Sequence, residues 1–191
     1  MSKTDLRQAA LKSRRSLTSQ SIETLSAEVE RVLLQLPEFM EARTVATYVA
    51  KSDEVQTAGI IDAALARKKR VLVPRAGPAS LELSFFEIHS LSELSPGSFG
   101  VLEPGKGAQG FPLSDSEIVL VPIVAWDEKG HRLGYGKGYF DKALRSRGTA
   151  LAAGLALESQ RFPAVPQGPS DSPLDVIVTE RRIVRVEARD R

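Results

Sequence analysis

"EIVLVPIVAWDEKGHRLGYGKGYFDKAL" runs from Glu117 to Leu144. Glu117 to Asp127 is the most hydrophobic run of the chain and reads as a central strand. A helix is expected from about Phe140 to Arg147. Between them Gly134, Gly136 and Gly138 alternate with Tyr135, Lys137 and Tyr139, with Arg132 before and Asp141 after. Strand, glycine-rich connection and helix form the setting in which backbone N–H groups converge on an anion. Arg132 and Lys137 add positive charge, and Asp141 is suited to a magnesium ion shared with phosphate. The spacing is neither G-x-x-x-x-G-K-[ST] nor G-x-G-x-x-G. A merely structural glycine-rich connection, with exposed Lys and Tyr, is therefore the plain alternative.

Working outward, residues 3 to 16 read as a helix, with Leu6, Ala9, Ala10 and Leu17 on one side and Lys and Arg on the other. A second helix follows, capped by Thr18, with Ile22, Leu25, Val29, Val32 and Leu33 at helical spacing and Pro37 ending it. "TVATYVA" (Thr44 to Ala50) reads as a strand, "TAGIIDAALARKKR" as a helix and "RVLVP" (Arg70 to Pro74) as a strand. That order is the unit of a parallel sheet. "LELSFFEIH" suggests a strand near an edge, "TALAAGLAL" and "DVIVTE" buried strands, and "RRIVRVEAR" a short edge strand. The expected architecture is a single three-layer α/β/α domain over residues 1–191, Rossmann-like, with a mostly parallel sheet. Ligands of such sheets sit at the carboxyl ends of the strands.

Composition narrows the chemistry. The chain has 191 residues, 42% hydrophobic and 26% charged, enough for one ample core. It has no cysteine, which excludes disulfides, thiolate metal sites and thiol nucleophiles. Two histidines, His89 and His131, exclude a multi-histidine metal site. No apolar run approaches the roughly 20 residues of a membrane span, and the basic N-terminus lacks an apolar signal core. A cytoplasmic monomer is the expectation. The net charge of +2 speaks weakly for a small anionic ligand and against a nucleic-acid surface.

The segment from Leu120 to Leu144 resembles the signature of 5-formyltetrahydrofolate cyclo-ligases, also called methenyltetrahydrofolate synthetases. Pro122, Trp126, Asp127, Gly130, Arg132, Leu133, Gly134, Gly136, Gly138, Tyr139, Phe140 and Asp141 fall in that family's order. Other blocks agree: Lys3 before Arg7, Glu54 with Thr57, Pro74 with Arg75, "FGVLEP", and "SDSPLDVIVTE" near the end. The chain departs from the pattern at Gln56, where an acid is usual, at Trp126 and Phe140, and at Ser170, where His is frequent.

The resemblance implies an ATP- and Mg²⁺-dependent closure of 5-formyltetrahydrofolate, with or without a polyglutamate chain, to 5,10-methenyltetrahydrofolate, through phosphorylation of the formyl oxygen. By the same resemblance Arg132 and Lys137 carry catalysis. Lys3, Arg7, Arg132, Leu133, Gly134, Tyr135, Gly136, Lys137, Gly138, Tyr139 and Phe140 meet ATP. Arg7, Val49, Glu54, Phe99, Tyr135 and Tyr139 meet the folate, and Asp141 and Asp171 meet Mg²⁺. Each has a plainer alternative. Lys3 and Arg7 suit a solvated helix face, Asp171 a turn, Glu54 an exposed loop, Phe99 the core, and the tyrosines simple packing. Asp175 suits a capping role. Two other functions are weighed: a sugar-phosphate isomerase or CoA-transferase-like enzyme, which would not use ATP, and a non-catalytic nucleotide or folate binder.

Overall fold

The computed structural model describes residues 1–77 and 82–186. Helix α1 spans Lys3–Arg15, opened by a capping box in which Ser2 and Asp5 satisfy each other's backbone N–H groups. Helix α2 spans Ser19–Leu33, and Thr18 Oγ1 caps it by accepting from Ser21 N at 3.1 Å. Pro37 does not merely end α2. It occupies the first turn of a short helix α3, Pro37–Glu41, where its missing N–H costs nothing.

Strand β1 is Thr44–Ala46, helix α4 Ala58–Ala66 and strand β2 Arg70–Ala76. The expected helix to residue 70 stops early, because Lys68 takes a left-handed φ of 58° and turns the chain into β2. Strand β3, Leu83–Ile88, is antiparallel to β2; the expected start of this strand at Leu81 lies outside the described residues. A hairpin of β4 (Leu94–Pro96) and β5 (Leu102–Pro104) follows, then β6 (Gly110–Phe111). The sequence reading contained neither.

The long apolar run is two elements rather than one strand. Strand β7 spans Ile118–Pro122; the chain then leaves the sheet, and β8 (Ala125–Trp126) pairs with β9 (Arg132–Leu133). Ladder bonding lapses here because side chains replace it. Gln160 Nε2 donates to Ile123 O at 2.7 Å and to Val124 O at 3.1 Å. Trp126 is wholly buried and its ring N–H donates to Leu157 O at 3.1 Å, so the indole costs no lost hydrogen bond. Helix α5 spans Tyr139–Leu144, shorter than expected, and β10 (Leu151–Leu155), β11 (Val176–Val178) and β12 (Ile183–Arg185) complete the sheet.

The eight strands lie in the order β12-β11-β10-β7-β1-β2-β3-β6. The five from β11 to β2 are parallel, and the flanking strands are antiparallel. Alternate strand residues feed two cores. Val45, Val71, Ile118, Leu120 and Val176 pack under α2 and α4. Ala46, Leu72, Val119, Val121 and Ile177 pack under the much shorter α5 and its neighbouring loops. The mixed three-layer architecture is therefore as expected, with one helical layer thin. Helix α1 stands apart, packing Leu6 and Ala10 on Val124, Ala125 and Leu133, while Ala9 is exposed. Among the described residues no helix is long and apolar enough to cross a membrane.

Candidate active site

The parallel strands change direction of succession between β1 and β7: β2 follows β1 on one side, whereas β7 lies on the other. Loops leaving the carboxyl ends of such neighbours diverge and open a crevice. Here the crevice is a cavity of about 650 Å³, of the size that holds a small-molecule ligand. The segment after β1, the segment after β7, α1 and the β4–β5 hairpin enclose it.

Every residue that the sequence reading named for ATP, folate or magnesium lines this one cavity. Lys3 and Asp171 join as a direct ion pair on its lining. Arg7 Nε donates to Gly134 O at 2.8 Å, fixing α1 to the glycine loop. Arg132 is buried, its Nη2 2.8 Å from Asp141 Oδ1, and it also donates to Ser172 O. Asp141 Oδ1 further accepts from Ser172 N at 3.1 Å. Phe99 is 53% exposed, so it is not a core residue. Asp175 is absent from the lining; it accepts from Ala152 N at 2.8 Å and pairs with Arg147, which fits the capping alternative.

The glycine loop has the backbone that its composition suggested. Gly136 and Gly138 take φ of 100° and 74°, open to glycine and strained for other residues. A Cβ on Gly138 would meet nothing within 4 Å, and one on Gly136 would come 3.1 Å from Arg7 Cζ. The loop thus has open space at Gly134 and Gly138, while Gly136 lies against the Arg7 guanidinium. Helix α5 after it has six residues, so an anion at this loop would meet loop amides and cations rather than a long helix dipole.

Two carboxylates respond in opposite ways. Burial pushes the Glu54 carboxyl above the ordinary glutamate range, only partly opposed by the Lys51 N–H that it accepts at 2.7 Å. Glu54 is therefore not an exposed loop acid. Burial also pushes Asp171 up, but Lys3 and the Gly168 N–H outweigh it and hold its carboxyl below the usual range. Among the described residues no three His, Asp or Glu side chains gather as a metal cage. Asp141 and Asp171 instead suit Mg²⁺, which takes one or two carboxylates and completes its shell with phosphate and water.

The sequence reading missed Tyr48, Lys51, Ile123, Val124 and Glu103 in the lining, and Arg14 just behind it. Tyr48 and Lys51 follow β1 directly, so a shorter strand with a longer exit loop was the available signal. His131 is held by Asp127 through Nδ1 at 2.9 Å, in the turn between β8 and β9.

Fold and cavity together define an α/β protein with a small-molecule site at the switch point of its sheet. A model of the 5-formyltetrahydrofolate cyclo-ligase family matches residues 1–180. A 5-formyltetrahydrofolate cyclo-ligase of Haemophilus influenzae is 30% identical over 172 residues, covering 87% of this chain and 92% of that one. The solution structure of Aquifex aeolicus 5,10-methenyltetrahydrofolate synthetase superposes with a TM-score of 0.86 at 34% identity, covering 100% of this chain and 96% of the other. The corresponding Mycoplasma pneumoniae structure shares the fold, with a TM-score of 0.77, 22% identity and coverage of 95% and 100%. The chain belongs to the 5-formyltetrahydrofolate cyclo-ligase family.

Proposed function

We propose that the cavity binds 5-formyltetrahydrofolate beside MgATP and closes the folate ring, releasing 5,10-methenyltetrahydrofolate, ADP and phosphate. One observation carries this reading: the Glu54 carboxylate and the Lys3, Arg7, Arg132 and Lys137 cations, from separate segments of the chain, line one cavity. A neutral ring with N–H donors suits the first, and a triphosphate suits the rest.

The formyl oxygen attacks the γ-phosphorus; an O–P bond forms and the bond to ADP breaks. The formyl carbon, now bearing a phosphate leaving group, is attacked by the second folate nitrogen. The new C–N bond closes the ring, the C–O bond breaks, and the nitrogen's proton leaves with phosphate. The nucleophiles belong to the substrate, so the protein needs no Ser–His–Asp set. Its task is positioning and neutralising charge on phosphate oxygens. Arg132 and Lys137 do this at the glycine loop, and Lys3 and Arg7 from α1. Magnesium, when bound, adds positive charge over the same oxygens, and Asp141 and Asp171 would hold it. Glu54 accepts from the pterin N–H groups, with Val49 as an apolar wall and Phe99, Tyr135 and Tyr139 as ring contacts.

Purified protein mixed with 5-formyltetrahydrofolate and MgATP should show rising methenyl absorbance with matching ADP release. No rise, or a rise independent of ATP, would sink this reading.

A further inference from the structure

Helix α1 presents Lys3, Arg7, Ala10 and Arg14 at spacings that share one face. The first two line the cavity. Arg14 lies one layer behind and is buried, an unusual place for a charge unless partners hold it. Its partners are informative. Nη2 lies 2.8 Å from Asp53 Oδ2 and also donates to the Tyr135 hydroxyl. Nη1 reaches Ile123 O at 3.4 Å. The Tyr135 hydroxyl in turn donates to Asp53 Oδ1 at 3.0 Å, closing a triangle. Lys51 Nζ lies 4.4 Å from the Tyr135 ring centroid.

These partners belong to segments that form the cavity. Tyr135 is the glycine loop's own residue, Ile123 begins the departure from β7, and Asp53 sits between Lys51 and Glu54. An arginine serving only to pack α1 would bond within its own core. Resting on the function proposed above, we infer that Arg14 is a positioning residue for the reaction: it clamps the glycine loop to the segment carrying Glu54. A planar guanidinium serves three acceptors on two sides at fixed angles, which a lysine ammonium on a flexible stem does not reproduce. Loss of the clamp loosens the phosphate-facing loop relative to the pterin-facing carboxylate, and a misplacement of about 1 Å can cost roughly 100-fold in rate.

The test is a double-mutant cycle on Arg14 and Tyr135. Arg14→Gln should lower kcat by roughly 100-fold. Tyr135→Phe, which removes only the clamped hydroxyl, should fall in the same direction, and the double variant should be little worse than Arg14→Gln. Arg14→Lys should recover thermal stability without recovering kcat. Independent, multiplicative losses, or an unchanged kcat in Arg14→Gln, would overturn the inference. If Arg14→Gln does not fold, Arg14→Lys with Tyr135→Phe, and Asp53→Asn with Tyr135→Phe, give the same reading. A wild-type protein without cyclising activity would refute the proposed reaction only. The cycle is then read on calorimetric Kd values for MgATP and for 5-formyltetrahydrofolate, where additivity again overturns the clamp.

Discussion

Lys137 Nζ stands 3.8 Å from the centroid of the Phe99 ring, so the tip of the β4–β5 hairpin rests on the glycine loop. Phe99 also meets Tyr139, ring centroids 5.9 Å apart and tilted by 59°. To do so it adopts a φ of 59°, beside Gly100 at 72°. A side chain in that region costs about 1–2 kcal/mol, which an exposed cation–ring contact of about 0.5–1 kcal/mol only partly offsets. Phe99→Gly should therefore keep or raise the thermal midpoint while raising the KM for folate. Melting curves and steady-state kinetics check this; a midpoint several degrees lower would show that the ring is structural.

Lys137→Ala and Arg132→Ala should both reduce kcat far more than folate affinity. Each removes a cation assigned to phosphoryl transfer, where one lost electrostatic contact costs about 3 kcal/mol, or roughly 100-fold. They should differ in stability. Lys137 is exposed, whereas the Arg132 side chain is only 4% exposed, and its loss leaves Asp141 with the Ser172 N–H but without a cation. Arg132→Ala should be destabilised by about 1–3 kcal/mol, and Lys137→Ala scarcely at all. Denaturant titrations beside the kinetics separate the two.

Glu54 gives a pH prediction. Its burial favours the protonated form, so its pKa lies above the ordinary glutamate range. The carboxylate proposed to accept from the pterin exists above that pKa and is lost as pH falls through it. Folate affinity should thus weaken on acidification earlier than an exposed glutamate would dictate. Glu54→Gln should bind folate more weakly, by about 1.5–3 kcal/mol, without that pH dependence and with an unchanged Kd for ATP. Calorimetry across the acid range measures all three; equal weakening of both ligands would make Glu54 structural.

Gly136→Ala should keep a cooperative melt yet lose most of the stabilisation that saturating MgATP provides. The added methyl would press on Arg7 Cζ at 3.1 Å, and a φ of 100° would be strained for alanine. The strand and helix on either side keep their own apolar anchors, so the fold survives. Melts with and without MgATP decide it, and an undiminished shift would mean that the ligand does not use this loop.

The sequence was most readable where pattern and packing coincide. Val45, Val71, Ile118 and Val176 announce buried strands because β-branched residues fill a sheet covered on both faces. Thr18 announces α2 because a hydroxyl at that place has one obvious partner. The break after Pro122 was hidden, since Ile123, Val124 and Ala125 are as apolar as a strand; only Gln160 and Arg14, distant in sequence, show where their carbonyls turn. The hairpin carrying Phe99 was hidden too, because its strands are short and stand off the main sheet. Arg14 reads as one more solvated cation of a basic helix until Tyr135 and Asp53 are seen to close on it.

Lys3 and Asp171, the ion pair on the cavity lining, are separated by 168 positions in the chain. The pocket consequently cannot be complete until synthesis has passed Asp171. A nascent chain already holding β1, β2 and β7 to β9 has the floor and much of the surface on which α1 packs, but not that carboxylate. Ribosome-bound chains ending before Asp171 should leave Lys3 to the solvent, however well their sheet has formed. Ligand capture by such a pocket would report a chain made at least to Asp171, not a folded half.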